Sequence, residues 1–105
     1  MLAIDSAPRA LMLVAPILFM KAWQLIEDPK HWTQGAFVRD SDGYETELSN
    51  PNATCWCAMG AIRHCYPTNW IRMQRKLELA INNIAHWNDH RTHAEVLAKL
   101  KELDI

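Results

Sequence analysis

Apolar residues recur along this chain with two different periods, and the switches between them outline the elements. Leu18, Ala22, Leu25 and Ile26 lie at helical spacing. That helix must stop near Glu27-Asp28, because the residue before Pro29 is pushed out of the helical region. Further upstream, Ser6 as a cap with Pro8 in the first turn, or Pro16, offers a helix start. From Ala36 to Leu48 the period shortens to two: Phe37-Val38 leads into Asp40-Ser41-Asp42-Gly43, after which Tyr44, Thr46 and Leu48 alternate with Glu45 and Glu47. This predicts a short hairpin closed by a glycine-containing turn, with its acidic residues on an exposed edge.

Helical spacing then returns. Thr54 is the expected cap of a helix on which Cys57, Ala58, Ala61, Ile62 and Cys65 share one face. Small residues there imply that another element packs closely, and Gly60 permits still closer approach. After Pro67, Thr68 or Asn69 can cap a helix whose stripe runs Trp70, Met73, Leu77, Ala80, Ile81 and Ile84, with Arg72, Arg75, Lys76 and Glu78 opposite. Asn88-Asp89 marks a break, and Thr92-His93-Ala94-Glu95 reads as a capping box opening a last helix that buries Val96, Leu97, Leu100 and Leu103. The expected architecture is mainly α, about four helices with one small β-hairpin. It forms a single domain over residues 1–105, with 1–17 as an N-terminal extension.

Composition narrows the function classes. The 105 residues are 50% apolar and carry a net charge of -1, so no overall electrostatic footprint invites nucleic acid. Five tryptophans supply large buried areas, which a small domain needs. The longest apolar run, Ala10 to Met20, contains Pro16 and falls short of the roughly 20 residues that cross a bilayer. It reads as core, or else as a partner surface or homodimer seam. Three cysteines, with Cys55 and Cys57 only two apart, suit free thiols in a reducing, cytoplasmic setting.

Several clusters could carry chemistry. His86, His90 and His93 would share a face of a continuous helix, but the break at Asn88-Asp89 separates them, and no metal or cofactor is expected. Cys57 at a helix start could act as a thiolate nucleophile, with His86 or His64 as base and Asp89 or Asn88 orienting it. The alternative is a small apolar core residue. Asp40 and Asp42 resemble the start of a calcium loop, but the remaining ligands are missing, which leaves a turn. Arg63, Arg72, Arg75 and Lys76, with His64, form a local basic region, read either as a solvated helix face or as a docking patch for an acidic partner or RNA.

From about Leu18 to Leu100 the chain resembles a family of small uncharacterised proteins of bacteriophages and bacteria. The matching blocks are Trp32-Thr33-Gln34-Gly35-Ala36, Asp40-Ser41-Asp42-Gly43, Trp56-Cys57-Ala58-Met59-Gly60-Ala61-Ile62, Trp87-Asn88-Asp89 and Thr92-x-x-Glu95-Val96-Leu97. The resemblance implies a phage or mobile-element setting and makes the Trp56-Cys57 and Asn88-Asp89 turns a defining pair. Side chains of Asn and Asp bind backbone amides in turns. Asn88 and Asp89 are therefore expected to tie the last turn to the amino end of the Cys57 helix, where unpaired amides await an acceptor. The residues expected to matter structurally are Trp32, Asp40, Gly43, Thr54, Trp56, Gly60, Asn88, Asp89, Thr92 and Glu95. The function these readings favour is an accessory protein that binds an unidentified protein partner, in its sharpest form an inhibitor of a host or defence factor. A hydrolase or transferase using Cys57 with a histidine is the rival, and RNA binding through the basic region is a third reading.

Overall fold

The computed structural model describes residues 20–105. The expected helix start at Ser6, Pro8 or Pro16, the extension 1–17 and most of the Ala10–Met20 run lie outside them. Helix α1 (Ala22–Leu25) is a single turn. A 3-10 turn at Pro29–His31 follows, in which the Asp28 side chain accepts from the Lys30 amide. Strands β1 (Val38–Asp40) and β2 (Ala53–Trp56) pair antiparallel. Then come α2 (Ala58–Cys65), α3 (Trp70–Ile81), α4 (Ile84–Asp89) and α5 (His93–Glu102). The architecture is mainly α with one small antiparallel strand pair, as the periodicity predicts.

Three local expectations need correction. First, the expected hairpin return, Tyr44 to Leu48, is not the second strand. The turn itself forms: Asp40 Oδ1 accepts from the Asp42 and Tyr44 amides, and Gly43 adopts φ +85°. Glu45 makes only an isolated bridge to Arg39, while Ala53–Trp56 pairs with β1 from the other side. Alternation alone could not separate the two candidates, because a period of two says nothing about the partner.

Second, Thr54 is not a helix cap. Pairing with β1 keeps the backbone extended through Trp56, and the Cys57 amide donates to the Phe37 carbonyl at 3.0 Å. The cap is Cys57, whose sulfur accepts from the Gly60 amide at 3.3 Å.

Third, the long stripe from Trp70 to Ile84 belongs to two helices. The chain leaves α3 at Asn82, which adopts φ +70°, and Asn83 caps α4 by accepting from the His86 amide. Asparagine tolerates both conformations better than most residues, and with this extra break the described residues form five helices. Ala80, expected on the buried stripe, is exposed.

Helix α2 sits at the centre, touching β2, α1, α3 and α4. Its small residues work as expected. A β-carbon added at Gly60 would overlap the Phe37 carbonyl oxygen, so β1 and α2 approach more closely than alanine permits. Around it Ile26, Ile62, Leu77 and Leu100 are fully buried, and each contributes about 1.5–3 kcal/mol by leaving water. Trp56 and Trp87 are buried, and Trp23, Trp32 and Trp70 pack half-buried against them. At α5 the Thr92–Glu95 capping box forms in both directions, and the two bonds from Thr92 hold the Glu95 carboxyl below its ordinary range.

Candidate functional site

The amino end of α2 presents backbone donors with no partner inside the helix. One is met by Cys57 itself. Another, the Ala58 amide, donates at 3.0 Å to Asn88 Oδ1 on α4. The same oxygen accepts from Trp32 Nε1 at 2.9 Å, and Asn88 Nδ2 donates to the Thr33 carbonyl at 3.0 Å. Asn88 is the buried polar residue of the described core, and it has no exposed surface. A primary amide offers two acceptor and two donor sites, which suits a point where an indole, a helix end and a loop carbonyl meet.

Asp89 acts one step further out. Its Oδ1 accepts from the Gly35 amide at 2.9 Å, where Gly35 turns the loop at φ +76°. Gln34 closes the arrangement by donating from Nε2 to the carbonyls of Asn88 and Arg91, both at 3.0 Å. The contact from the last turn to the start of α2 is thus made by Asn88, whereas Asp89 goes to the loop before β1. Gln34 was not legible as a functional position, because an exposed glutamine between Thr33 and Gly35 gives no periodic signal.

Between these groups lies a cleft of about 230 Å³, walled by Gly35, Ala36, Phe37, Ala85 and Asp89, with Cys57 at its side. Cys57 is buried, and burial pushes its thiol up, against the opposing pull of the Gly60 and Met59 amides. Cys65 is pushed up to about 12 by burial alone. Cys55 is half-exposed and donates to the Lys30 carbonyl. No histidine hydrogen-bonds to a cysteine sulfur among the described residues. The His86 ring stacks instead on His90, with centroids 4.1 Å apart. His64 packs its ring 5.1 Å from Trp56, and burial holds its imidazole below the ordinary range. His93 is tied elsewhere, donating from Nε2 to the Ile26 carbonyl at 2.6 Å with its ring 5.5 Å from Trp32. Among the described residues no three His, Cys, Asp or Glu side chains gather to hold a metal.

The basic region divides in two. Arg63 lies with its guanidinium 4.3 Å from the Trp70 ring centre and 5.2 Å from that of Phe37, donating to Gln74 Oε1. It is part of the packing between α2, α3 and the Phe37 loop. Arg72, Arg75 and Lys76 stand exposed on α3 and take part in none of the ion pairs among the described residues. They share that face with two apolar side chains missed in the sequence, Ile71 at 62% and Leu79 at 83% exposure. Both fall off the Trp70–Leu77 stripe, and that offset was the available signal.

These features define a small, mainly α protein in which one buried asparagine on α4 locks a loop and a strand pair onto the start of a central helix. A model of a family of unknown function, DUF6197, matches residues 14–103, and the chain belongs to that family. Searches of curated proteins and of solved structures returned no match. No helix among the described residues is long and apolar enough to cross a membrane.

Proposed function

We propose that the protein acts by binding another protein through the outer face of α3. The observation that supports this reading is the exposed pair Ile71 and Leu79 flanking Arg72, Arg75 and Lys76 on one helix. Ile71, Arg75 and Leu79 are spaced four apart and so share a stripe. Exposed aliphatic side chains beside cations that form no ion pair among the described residues suit a partner surface that is acidic and partly apolar. RNA fits this face less well, since single-stranded RNA is read by stacking on aromatic rings and Trp70 is engaged beneath Arg63. The resemblance to phage and bacterial proteins makes an inhibited host factor the partner class we favour.

The test compares the unmodified chain with Leu79→Asp and with Arg72→Glu/Arg75→Glu as baits in a host lysate, with circular dichroism confirming the fold of each. Specific proteins retained by the unmodified chain and lost with both variants are expected. Retention of the same proteins by both variants would remove α3 from consideration. Binding to RNA that weakens with salt, with no protein retained, would favour the third reading.

A further inference from the structure

The geometry points to a second, separate site: a surface chelate for a borderline first-row divalent cation such as Zn²⁺ or Ni²⁺, formed by His86 on α4 and His90, the residue that caps that helix. The two residues are one helical turn apart and both exposed, with rings stacked at 4.1 Å between centroids and 25° between planes. Histidines four apart on one helical face are a recurrent metal-binding pair, because the helix itself sets their separation.

The tautomer of His90 is fixed in the form a metal needs. Its Nδ1 lies 2.8 Å from the His86 carbonyl oxygen. A carbonyl only accepts, so Nδ1 carries the proton and Nε2 is left as a lone pair in the neutral ring. A ring N–H given to a backbone carbonyl is the usual outer support of a metal-ligating histidine. No ring nitrogen of His86, nor Nε2 of His90, has a hydrogen-bond partner among the described residues, so ligation there displaces no protein contact.

The fit requires the two rings to unstack. An ion bound at about 2.0–2.1 Å from each nitrogen needs the nitrogens roughly 3.3 Å apart in a tetrahedral site. The 4.1 Å separates ring centres in a stack, whereas two imidazoles on one tetrahedral ion hold their centres about 5 Å apart, so the exposed His86 ring swings outward while His90 keeps its bond to the carbonyl. Imidazole nitrogens favour Zn²⁺, Ni²⁺ and Cu²⁺ over Mg²⁺ or Ca²⁺. With two protein ligands the ion keeps open positions for water or for a donor from another molecule. The chelate would also staple the six-residue helix that ends in Asn88 and Asp89.

Isothermal titration of the full chain with Ni²⁺ tests this, in parallel with His86→Ala, His90→Ala and Cys55→Ser, the last removing the half-exposed thiol. One Ni²⁺ per chain is expected, weakened by about tenfold or more in each histidine variant and unchanged in Cys55→Ser. Mg²⁺ should give no signal. In a thermal scan, Ni²⁺ should raise the midpoint of the unmodified chain and of neither histidine variant, since only ligands that bind the folded state stabilise it. No binding below millimolar Ni²⁺, undiminished binding in either histidine variant, or loss of binding in Cys55→Ser would each overturn the proposal.

Discussion

Replacing Asn88 with alanine should be the most damaging single change to a polar residue in this protein. The substitution leaves two donors, Trp32 Nε1 and the Ala58 amide, and one acceptor, the Thr33 carbonyl, without their partner. Each buried polar group stranded in this way costs about 1–3 kcal/mol. Trp32 is half-buried and can recover part of its loss from water, so the sum is about 3–6 kcal/mol. A domain of 105 residues has a total stability of about 5–15 kcal/mol, so the variant should be marginal or unfolded at 37 °C. Urea unfolding followed by tryptophan fluorescence measures the loss directly. Asn88→Asp supplies a more discriminating arm. It keeps the oxygen that serves Trp32 and Ala58 but sets a second carboxylate oxygen against the Thr33 carbonyl. That variant should be weak at neutral pH and regain stability as acid protonates the carboxyl, which can then donate to Thr33. A loss below about 1 kcal/mol in Asn88→Ala, well short of the 1–3 kcal/mol expected for even one stranded group, would refute the account of Asn88 as the lock.

Other outcomes follow from the same structure. Gly60→Ala forces a methyl group onto the Phe37 carbonyl, so a loss of about 1–3 kcal/mol or more is expected in the same urea assay; an unchanged midpoint would mean β1 moves aside freely. Under native conditions near neutral pH, a thiol reagent should modify Cys55 quickly and Cys57 and Cys65 only at the rate of unfolding, given their burial; quick labelling of Cys57 would revive the nucleophile reading. Burial depresses the His64 imidazole below its ordinary 6.5, so the folded state binds its proton less readily than the unfolded chain. Stability from this group is complete above about pH 6.5 and is lost as pH falls through the lower folded value. His64→Gln should flatten the stability profile between pH 7 and 5, and an unchanged slope would assign the acid sensitivity elsewhere.

Much of the fold was legible because it depends on local patterns. The Thr92–Glu95 box needs only two side chains three residues apart, and the small face of α2 follows from Ala58, Ala61 and Cys65. The strand partner was not legible, since Tyr44–Leu48 alternates as well as a strand does while Ala53–Trp56 wins through the long-range fit of Trp56 opposite Val38. Cys57 as a cap gives almost no sequence signal, because sulfur is rarely a capping atom and Thr54 carries a more familiar hydroxyl nearby. The break at Asn82-Asn83 was present in the sequence as two adjacent asparagines, but an apolar stripe continuing to Ile84 outweighed it. Asn88 could be marked as a tie to the start of α2, whereas its bonds to Trp32 and Thr33 required the chain to be folded.

The loop from Trp32 to Gly35 has a consequence for how the chain is made. Its bonds to Trp32, Gln34 and Gly35 come from residues 54 to 57 positions later. At a synthesis rate of about 5–20 residues per second, those partners follow roughly 3–11 s behind the loop. During that interval only nearer partners, Arg39 and Trp56, bond the loop, while the Trp32 indole and the Gly35 amide still lack theirs. The nascent chain is therefore expected to stay protease-sensitive around Trp32–Phe37 until Asn88 and Asp89 have left the ribosome, and to close in one late, cooperative step.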